Sequence, residues 1–266
     1  VQEKQLTTMG GNITALEIDG TFDDCQLMVR KAFSDKDLNE RMILTSANSI
    51  NFARFFPQSF YYFHAYSRLS EVSKPLAFSV PSGNFGNITA GLIALKMGLQ
   101  AGRFIASTNI NNSVPEYLVS GLYRPQPTRQ TITNAMDVGN PGNFPRLLEL
   151  YGKDLDLLKR VLSGYWFTDS QTVDGIRELM NDYGYLADPH SAVAYLGLKE
   201  HMKHNECTGI FLATAHPVKF PEVVSAASGR EPDIPDSISA VMKREKRSVM
   251  MKNSYEDFRE FIIQFR

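Results

Sequence analysis

Apolar residues in this chain fall into short continuous runs divided by small polar turns, with stretches of helical periodicity between them. The clearest run is Leu76-Ala77-Phe78-Ser79-Val80, of strand length and stopped by Pro81. A polar loop with two glycines follows, Ser82-Gly83-Asn84-Phe85-Gly86-Asn87. Residues 88–98 then read as a helix that is apolar on nearly every side. Further strands are expected at 13–19, 42–44, 103–107 and, as the last one, 208–213. A helix is expected after the 19–23 loop, capped by Thr21 or Asp23, with Cys25, Leu27, Met28, Val29, Ala32 and Phe33 turned inward. A charged linker covers 35–41. The aromatic-rich segment up to Tyr66 is helical in pattern, with Pro57 as a kink. More helices are expected at 114–122, 144–151, 155–162, 171–183, from Asp188 with Pro189 in its first turn, and at 255–265. Strands alternating with helices define an α/β class with a mostly parallel sheet.

Composition narrows the function classes. The chain has 266 residues, 43% hydrophobic and 21% charged, with a formal net charge of −1. That is enough apolar material for one large core or two modest ones. The charge balance gives no support for a nucleic-acid or membrane partner. Cys25 and Cys207 are too far apart for zinc spacing or a disulfide framework, which suits a reducing, cytoplasmic setting. His201 and His204 lack a third metal ligand and read as a solvated helix end, so no metal is expected. The 243–247 charge run reads as a solvated helix face.

Candidate chemistry sits at the ends of the expected strands. Strand, glycine loop and helix together present backbone N–H groups and a helix N-terminus to a phosphate. The loop lacks the three-glycine dinucleotide fingerprint, and no acidic residue follows the 103–107 strand to hold a ribose. No Gly-Lys-Ser/Thr follows either, so it is not a P-loop. A phosphate without an attached ribose suits it better; the alternative is an ordinary β–α turn. Thr45-Ser46-Ala47-Asn48-Ser49-Ile50-Asn51 is a run of hydroxyls and amides after a strand, with Arg54 one helical turn on. Its aromatic neighbours Phe52, Phe55, Phe56, Phe60, Tyr61, Tyr62, Phe63 and Tyr66 are expected to pack in cores or interfaces. The 133–143 loop is too polar to be a mere connection. Thr214 and His216 follow the last expected strand, where α/β sheets hold ligands.

Five segments carry a resemblance: 45–51, 81–87, Asn134-Ala135-Met136-Asp137-Val138, Asp188-Pro189-His190-Ser191-Ala192-Val193-Ala194, and Thr214-Ala215-His216-Pro217. In this order they resemble the threonine synthase family, in its bacterial and fungal branch, over nearly the whole chain. The resemblance implies a pyridoxal-phosphate enzyme of fold type II, like tryptophan synthase β, with a parallel sheet and flanking helices. It divides the chain into residues 1–75, the remainder of a smaller domain, and 76–266, a large cofactor domain with C-terminal helices. It implies a carbon–oxygen lyase acting on phosphates, which turns O-phospho-L-homoserine and water into L-threonine and phosphate.

By that resemblance Gly83, Asn84, Phe85 and Asn87 contact the cofactor phosphate, chiefly through backbone N–H groups, and Gly86 is conformational. Thr214 resembles the hydroxyl partner of the pyridine nitrogen. Asn48, Asn51 and Arg54 are candidates for the substrate phosphate or a cofactor oxygen. Family members hold their Schiff-base lysine in a Phe-Lys-Asp-like motif, and the substrate carboxylate in a Ser-Gly-Asp-Thr-Gly-like loop. Neither pattern is present here, and the opening Val1-Gln2-Glu3-Lys4-Gln5 reads as the interior of a longer chain. A chain truncated upstream of its lysine is expected, with no catalytic residue assigned and no turnover alone; Lys219 is not nominated. The alternatives are a non-catalytic relative that binds a phosphate ligand, and an ordinary nucleotide-binding α/β protein.

Overall fold

A computed structural model describes residues 2–20, 22–49 and 51–264. Thr21, Ile50 and Phe265 lie outside the described residues, as does the side chain of Asp23. In chain order the elements are α1 (Gln2–Thr7), β1 (Ala15–Asp19), α2 (Phe22–Ser34), α3 (Lys36–Arg41), α4 (Phe55–Ser67), β2 (Leu76–Pro81), α5 (Gly86–Lys96) and β3 (Arg103–Thr108). They continue with α6 (Ser113–Ser120), α7 (Phe144–Leu150), α8 (Leu155–Lys159), β4 (Leu162–Trp166), α9 (Asp169–Tyr183), α10 (Pro189–Met202) and β5 (Thr208–Phe211). The chain ends with α11 (Pro221–Ser228), α12 (Asp236–Met242), β6 (Ser248–Lys252) and α13 (Tyr255–Gln264). Two compact units divide it: Val1–Ser46 with Ile234–Arg266, and Ala47–Asp233.

The larger unit is built on a parallel sheet of order β4-β3-β2-β5. Every residue of β2 is buried, which is why its sequence shows no alternation. On one face α4 and α5 bring Tyr62 and Leu92 against Phe78 and Phe104. Phe78 and Phe104 stack at 5.6 Å, and Tyr62 meets both edge-on at 5.2 and 5.5 Å. On the other face α10 comes very close. A β-carbon at Gly197 would lie 1.9 Å from Ser107 Oγ. Ser79 Oγ donates to the Ala194 carbonyl at 2.6 Å and receives a bond from Ser107 Oγ at 2.8 Å, so both buried hydroxyls are satisfied.

The smaller unit pairs β1 with β6 in parallel, Ala15 opposite Ser248 through Asp19 opposite Lys252. Its helices α2 and α13 are joined through Asp35, which accepts from Tyr255 Oη and Arg259 Nε, both at 2.8 Å.

Several expectations are corrected. The 42–44 segment is not a strand, and Ile43 is fully exposed. The charged 35–41 linker is helix α3, capped by Asp35, whose side chain accepts from the Leu38 N–H. Leu27 and Phe33 of α2 are exposed rather than inward. Pro57 does not kink α4, because it lies in the first turn, where its missing N–H has no partner to lose. The helix expected at 155–162 ends at Lys159, and Leu162–Trp166 form a strand where none is expected. The strand β6 comes after the expected last strand, and the 243–247 run is the turn leading into it rather than a helix face. Of the aromatics, Phe55 and Tyr62 are buried, but Phe52, Phe56, Phe60 and Tyr61 are exposed.

Candidate functional site

All four strands of the larger sheet point the same way, so their carboxyl ends form one edge, where open α/β sheets hold ligands. From β2 this edge receives the loop at 82–87. From β3 it receives Asn109 and Asn111, and from β5 the segment that carries Thr214.

The loop is shaped by its backbone. Ser82 N–H continues the pairing to the Ser107 carbonyl at 2.8 Å. At Gly83 a β-carbon would stand 2.7 Å from the Ala135 carbonyl oxygen and 2.8 Å from Met136 Cα, so no side chain fits there. At Gly86 it would meet Ser49 Cβ at 3.1 Å and Asn143 Nδ2 at 3.3 Å. Phe85 takes the left-handed conformation, φ 60° and ψ 16°. That conformation costs a non-glycine residue about 1–3 kcal/mol. Burial of the ring beside Phe144, at 6.1 Å, and two hydrogen bonds from Thr89 to the Phe85 carbonyl hold it. The bend delivers the chain directly into the N-terminus of α5, where helical N–H groups face outward.

The amides of this loop brace it. Asn87 Nδ2 donates to the Pro81 carbonyl at 2.8 Å, tying the loop's end to its beginning, and Asn87 Oδ1 caps the Ile88 N–H at 2.9 Å. The Asn87 carbonyl accepts from buried Tyr62 Oη at 2.7 Å. Asn84 Oδ1 accepts from Gly142 N–H at 2.5 Å, and its Nδ2 reaches Ser49 Oγ at 3.4 Å. Ser49 Oγ also accepts from Asn143 Nδ2 at 2.9 Å, and the Ser49 carbonyl accepts from Arg146 at 2.6 Å.

Behind Gly83, the 133–137 turn is anchored by a buried polar network. Asn109 Nδ2 donates to Asp137 Oδ1, Thr131 Oγ1 and Thr133 Oγ1 at 2.8–2.9 Å, and Asp137 Oδ2 accepts from Thr131 N–H at 2.9 Å. Burial pushes the Asp137 carboxyl above its ordinary value, partly offset by these hydrogen bonds.

Thr214 is exposed, three residues beyond Phe211, whose register partner in β2 is Ser79. It therefore leaves the same sheet edge as the loop, on the neighbouring strand. His216 caps the 3₁₀ turn Pro217–Lys219 by accepting from Val218 N–H. Asn48 is joined to this area through Ser49 Oγ, 3.2 Å from its Oδ1. Asn51 caps the turn Phe52–Arg54 by accepting from Ala53 N–H, and Arg54 is exposed. The residues that sequence reasoning missed are Ser49 and Asn143, which link the 48–51 segment to the loop, and Ala135 with Met136, which form its wall. The polar density of the 133–143 loop was the available signal.

His201 is not a solvated helix end. It is buried, and desolvation, with Arg103 nearby, pushes its imidazole below the ordinary value. Among the described residues no three His, Cys, Asp or Glu side chains group as for a metal ion, and no helix is long and apolar enough to cross a membrane.

A loop that excludes a β-carbon at Gly83 and crowds one at Gly86, at the head of a helix, fits a bound phosphate group. The chain belongs to the pyridoxal-phosphate dependent enzyme family, whose model matches residues 2–210. Within that class, residues 191–262 match the model described as threonine synthase, C-terminal. The threonine synthase of Serratia marcescens is 43% identical over 264 residues, covering 99% of this chain and 61% of the relative. The crystal structure of threonine synthase from Escherichia coli superposes with a TM-score of 0.91 at 41% identity, covering 100% of this chain and 61% of that one. A pyridoxal-phosphate-bound threonine synthase from Brucella melitensis gives a TM-score of 0.88 at 34% identity, with 99% and 62% covered. The chain thus spans about 61% of the length of these relatives.

Proposed function

We propose that this chain carries the cofactor site of a threonine synthase, which converts O-phospho-L-homoserine and water to L-threonine and phosphate. The observation that supports this reading is the glycine cradle at 82–87 opening onto α5, one strand away from the segment bearing Thr214. In this reading the backbone N–H groups of Gly83, Asn84, Phe85 and Asn87 bind the phosphate of pyridoxal phosphate, while the side chains of Asn84 and Asn87 keep the cradle in shape. The Thr214 hydroxyl faces the pyridine nitrogen. A hydroxyl is neutral and does not hold a full positive charge there as a carboxylate would. When bound, the cofactor supplies an electron sink that lets protons be moved at substrate carbon atoms. Asn48, Asn51 and Arg54 face the substrate phosphate or a cofactor oxygen, where the guanidinium's planar fork of donors suits phosphate. The setting is cytoplasmic.

No residue of this chain is assigned as the lysine that holds the cofactor. The chain by itself is therefore expected to bind the cofactor without releasing phosphate. Two measurements test the reading. The chain should bind pyridoxine phosphate at least about tenfold more tightly than pyridoxine, as a phosphate held by charge-assisted hydrogen bonds requires. The protein expressed from its complete open reading frame should release phosphate from O-phospho-L-homoserine and form threonine. Binding without turnover by that complete protein would move the assignment to a non-catalytic, phosphate-ligand-binding relative. Preference for a nucleotide would overturn both.

A further inference from the structure

The start of α10 holds a buried polar cluster that the proposed function does not use. The Asp188 carboxylate is almost fully buried. Its Oδ1 accepts from His190 N–H at 2.9 Å and from His190 Nδ1 at 3.0 Å, and its Oδ2 accepts from Ser191 Oγ. These bonds require a proton on Nδ1, so that in the neutral ring Nε2 is a bare acceptor. His190 is only 3% exposed, and its Nε2 is buried without a hydrogen-bond partner. Ser113, Tyr151 and Ser225 also carry buried unpaired oxygens, but a hydroxyl can rotate toward a weak acceptor. The His190 ring cannot, because Asp188 pins its other nitrogen.

The packing of α10 sets the level of His190 along the sheet. Ala194 O receives the bond from Ser79, and Leu198 lies against Gly209, the register partner of Ala77. Four helix residues, about 6 Å, thus match two strand residues, about 6.6 Å, and α10 runs antiparallel to β2. One turn back from Ala194, His190 stands level with Pro81, immediately before the cradle. The other side of its ring meets Phe220, at 4.9 Å, in the segment that follows Thr214.

We propose that His190 Nε2 is a ligand contact. It accepts a hydrogen bond from an O–H or N–H group of the phosphorylated small molecule whose phosphate the 82–87 loop holds. This rests on the phosphate reading of that loop. Asp188 acts as a positioning residue, fixing the tautomer and the ring. An unpaired buried acceptor is costly, and a bound donor removes the cost.

The test is ¹⁵N NMR on the labelled chain, titrated with pyridoxine phosphate, which has no aldehyde to condense with surface lysines. Without the probe, Nδ1 should show the shift of a proton-bearing nitrogen and Nε2 that of a bare one. At saturation the Gly83 and Gly86 amides should move, and Nε2 should move toward a hydrogen-bonded value. Moving amides with an unmoved Nε2 would overturn the His190 contact while leaving the phosphate reading intact. If neither moves, both fail. If Nε2 moves without the amides, the loop is not the phosphate site, and the proposal falls with the reading it rests on. In the same titration His190→Asn, which keeps a donor for Asp188 but has no atom at the Nε2 position, should bind about tenfold more weakly; His190→Gln, which places a polar atom there, should recover most of the affinity. Wild-type affinity in a folded His190→Asn would also overturn the proposal. Thermal melting verifies folding, and if the Asn variant does not fold, the wild-type shifts decide alone.

Discussion

The β4-β3-β2-β5 sheet and the β1–β6 pair are both parallel, yet they are held by opposite means. In the larger unit β2 is buried along its whole length, and the polar contacts beside it are between neutral groups, Ser79 with Ser107 and Asn109 with the Thr131 and Thr133 hydroxyls, with ion pairs such as Lys199–Glu178 kept to the surface. In the smaller unit β1 is only half-buried and charges carry the connections. Lys246 bridges Glu3 and Glu17 at 2.6 and 2.7 Å, and Arg259 bridges Asp35 and Asp37. Exposed ion pairs contribute roughly 0–1 kcal/mol each, whereas one buried aromatic side chain contributes several times that. The difference teaches where preorganisation resides. The glycine cradle grows from the end of the strand that no solvent reaches.

The largest expected effect follows directly. Phe78→Ala removes a fully buried ring packed against Tyr62 and Phe104. It should destabilise the larger unit by about 3–5 kcal/mol. Amide exchange would read this as lost protection in β2 and β3. Equal loss in β1 and β6 would show that the two units unfold as one, and the contrast would fail. Next, Asn109→Ala leaves the partly buried Asp137 carboxylate without one of its donors, at a cost of about 1–3 kcal/mol. Because the 133–137 turn is the wall behind Gly83, pyridoxine phosphate affinity should fall together with stability. Lower stability with unchanged affinity would separate that turn from the cradle.

Acid should then separate the two units, because among the described residues only the larger one carries a carboxyl shifted upward that opposes the acid loss. Tyr255 first, then the Leu38 N–H and Arg259, hold the Asp35 carboxyl below its ordinary value, and Lys246 with Ser248 do the same for Glu17. A carboxylate depressed in the folded state stabilises above its unfolded pKa, near 4, and that contribution is lost as pH falls through the folded value. Asp137 is shifted the other way by burial, so its contribution grows as pH falls and is lost as pH rises. Glu178 and Glu206 are depressed by Lys199 and Lys74 and give the larger unit an acid loss of its own, which Asp137 opposes. Exchange measured from pH 7 to pH 3 should therefore show β1 and β6 losing protection before β2 and β3; the reverse order would contradict the contrast.

What the sequence made legible cuts across that division: β1 of the smaller unit is expected at 13–19, while β4 of the larger unit and β6 of the smaller are not. Continuous apolar runs flanked by turn residues identified β2, β3 and β5; β2 and nearly all of β3 are buried on both faces, whereas β5, at the sheet edge, is only half-buried. The edge strand β4 did not stand out. Its Leu-Ser-Gly-Tyr-Trp run contains Gly164, needed because a β-carbon there would come within 2.9 Å of Pro115. The strand β6 was hidden behind a charge run whose Lys246 serves ion pairs rather than solvent. The loop and its helix were readable from local spacing. Ser49, Asn143 and the wall at 135–136 were not, since they meet the loop only through the fold, from 34 or more residues away.

The smallest expected effect tests whether the larger unit depends on local capping as well as on its core. Thr168 ends the segment after β4 and opens α9 with a reciprocal capping box: its Oγ1 accepts from Gln171 N–H at 3.3 Å, and its own N–H donates to Gln171 Oε1 at 2.9 Å. Thr168→Ala removes the hydroxyl while the Gln171 half of the box remains. The loss should be about 1 kcal/mol. For a unit of this size that corresponds to a melting shift of about 2–4 °C. Thr168→Ser keeps the hydroxyl and should melt within a degree or so of the parent, in line with the near-equal cap preference of the two residues. Because α9 packs on α10, which carries His190, the Ala variant also asks whether a cap can be felt at the cradle. The expected answer is no change in pyridoxine phosphate affinity, since α10 is fixed to the sheet by Ser79 and by the close approach at Gly197. A fall in affinity as large as that of Asn109→Ala would mean that the sheet edge is less rigid than its buried strands imply.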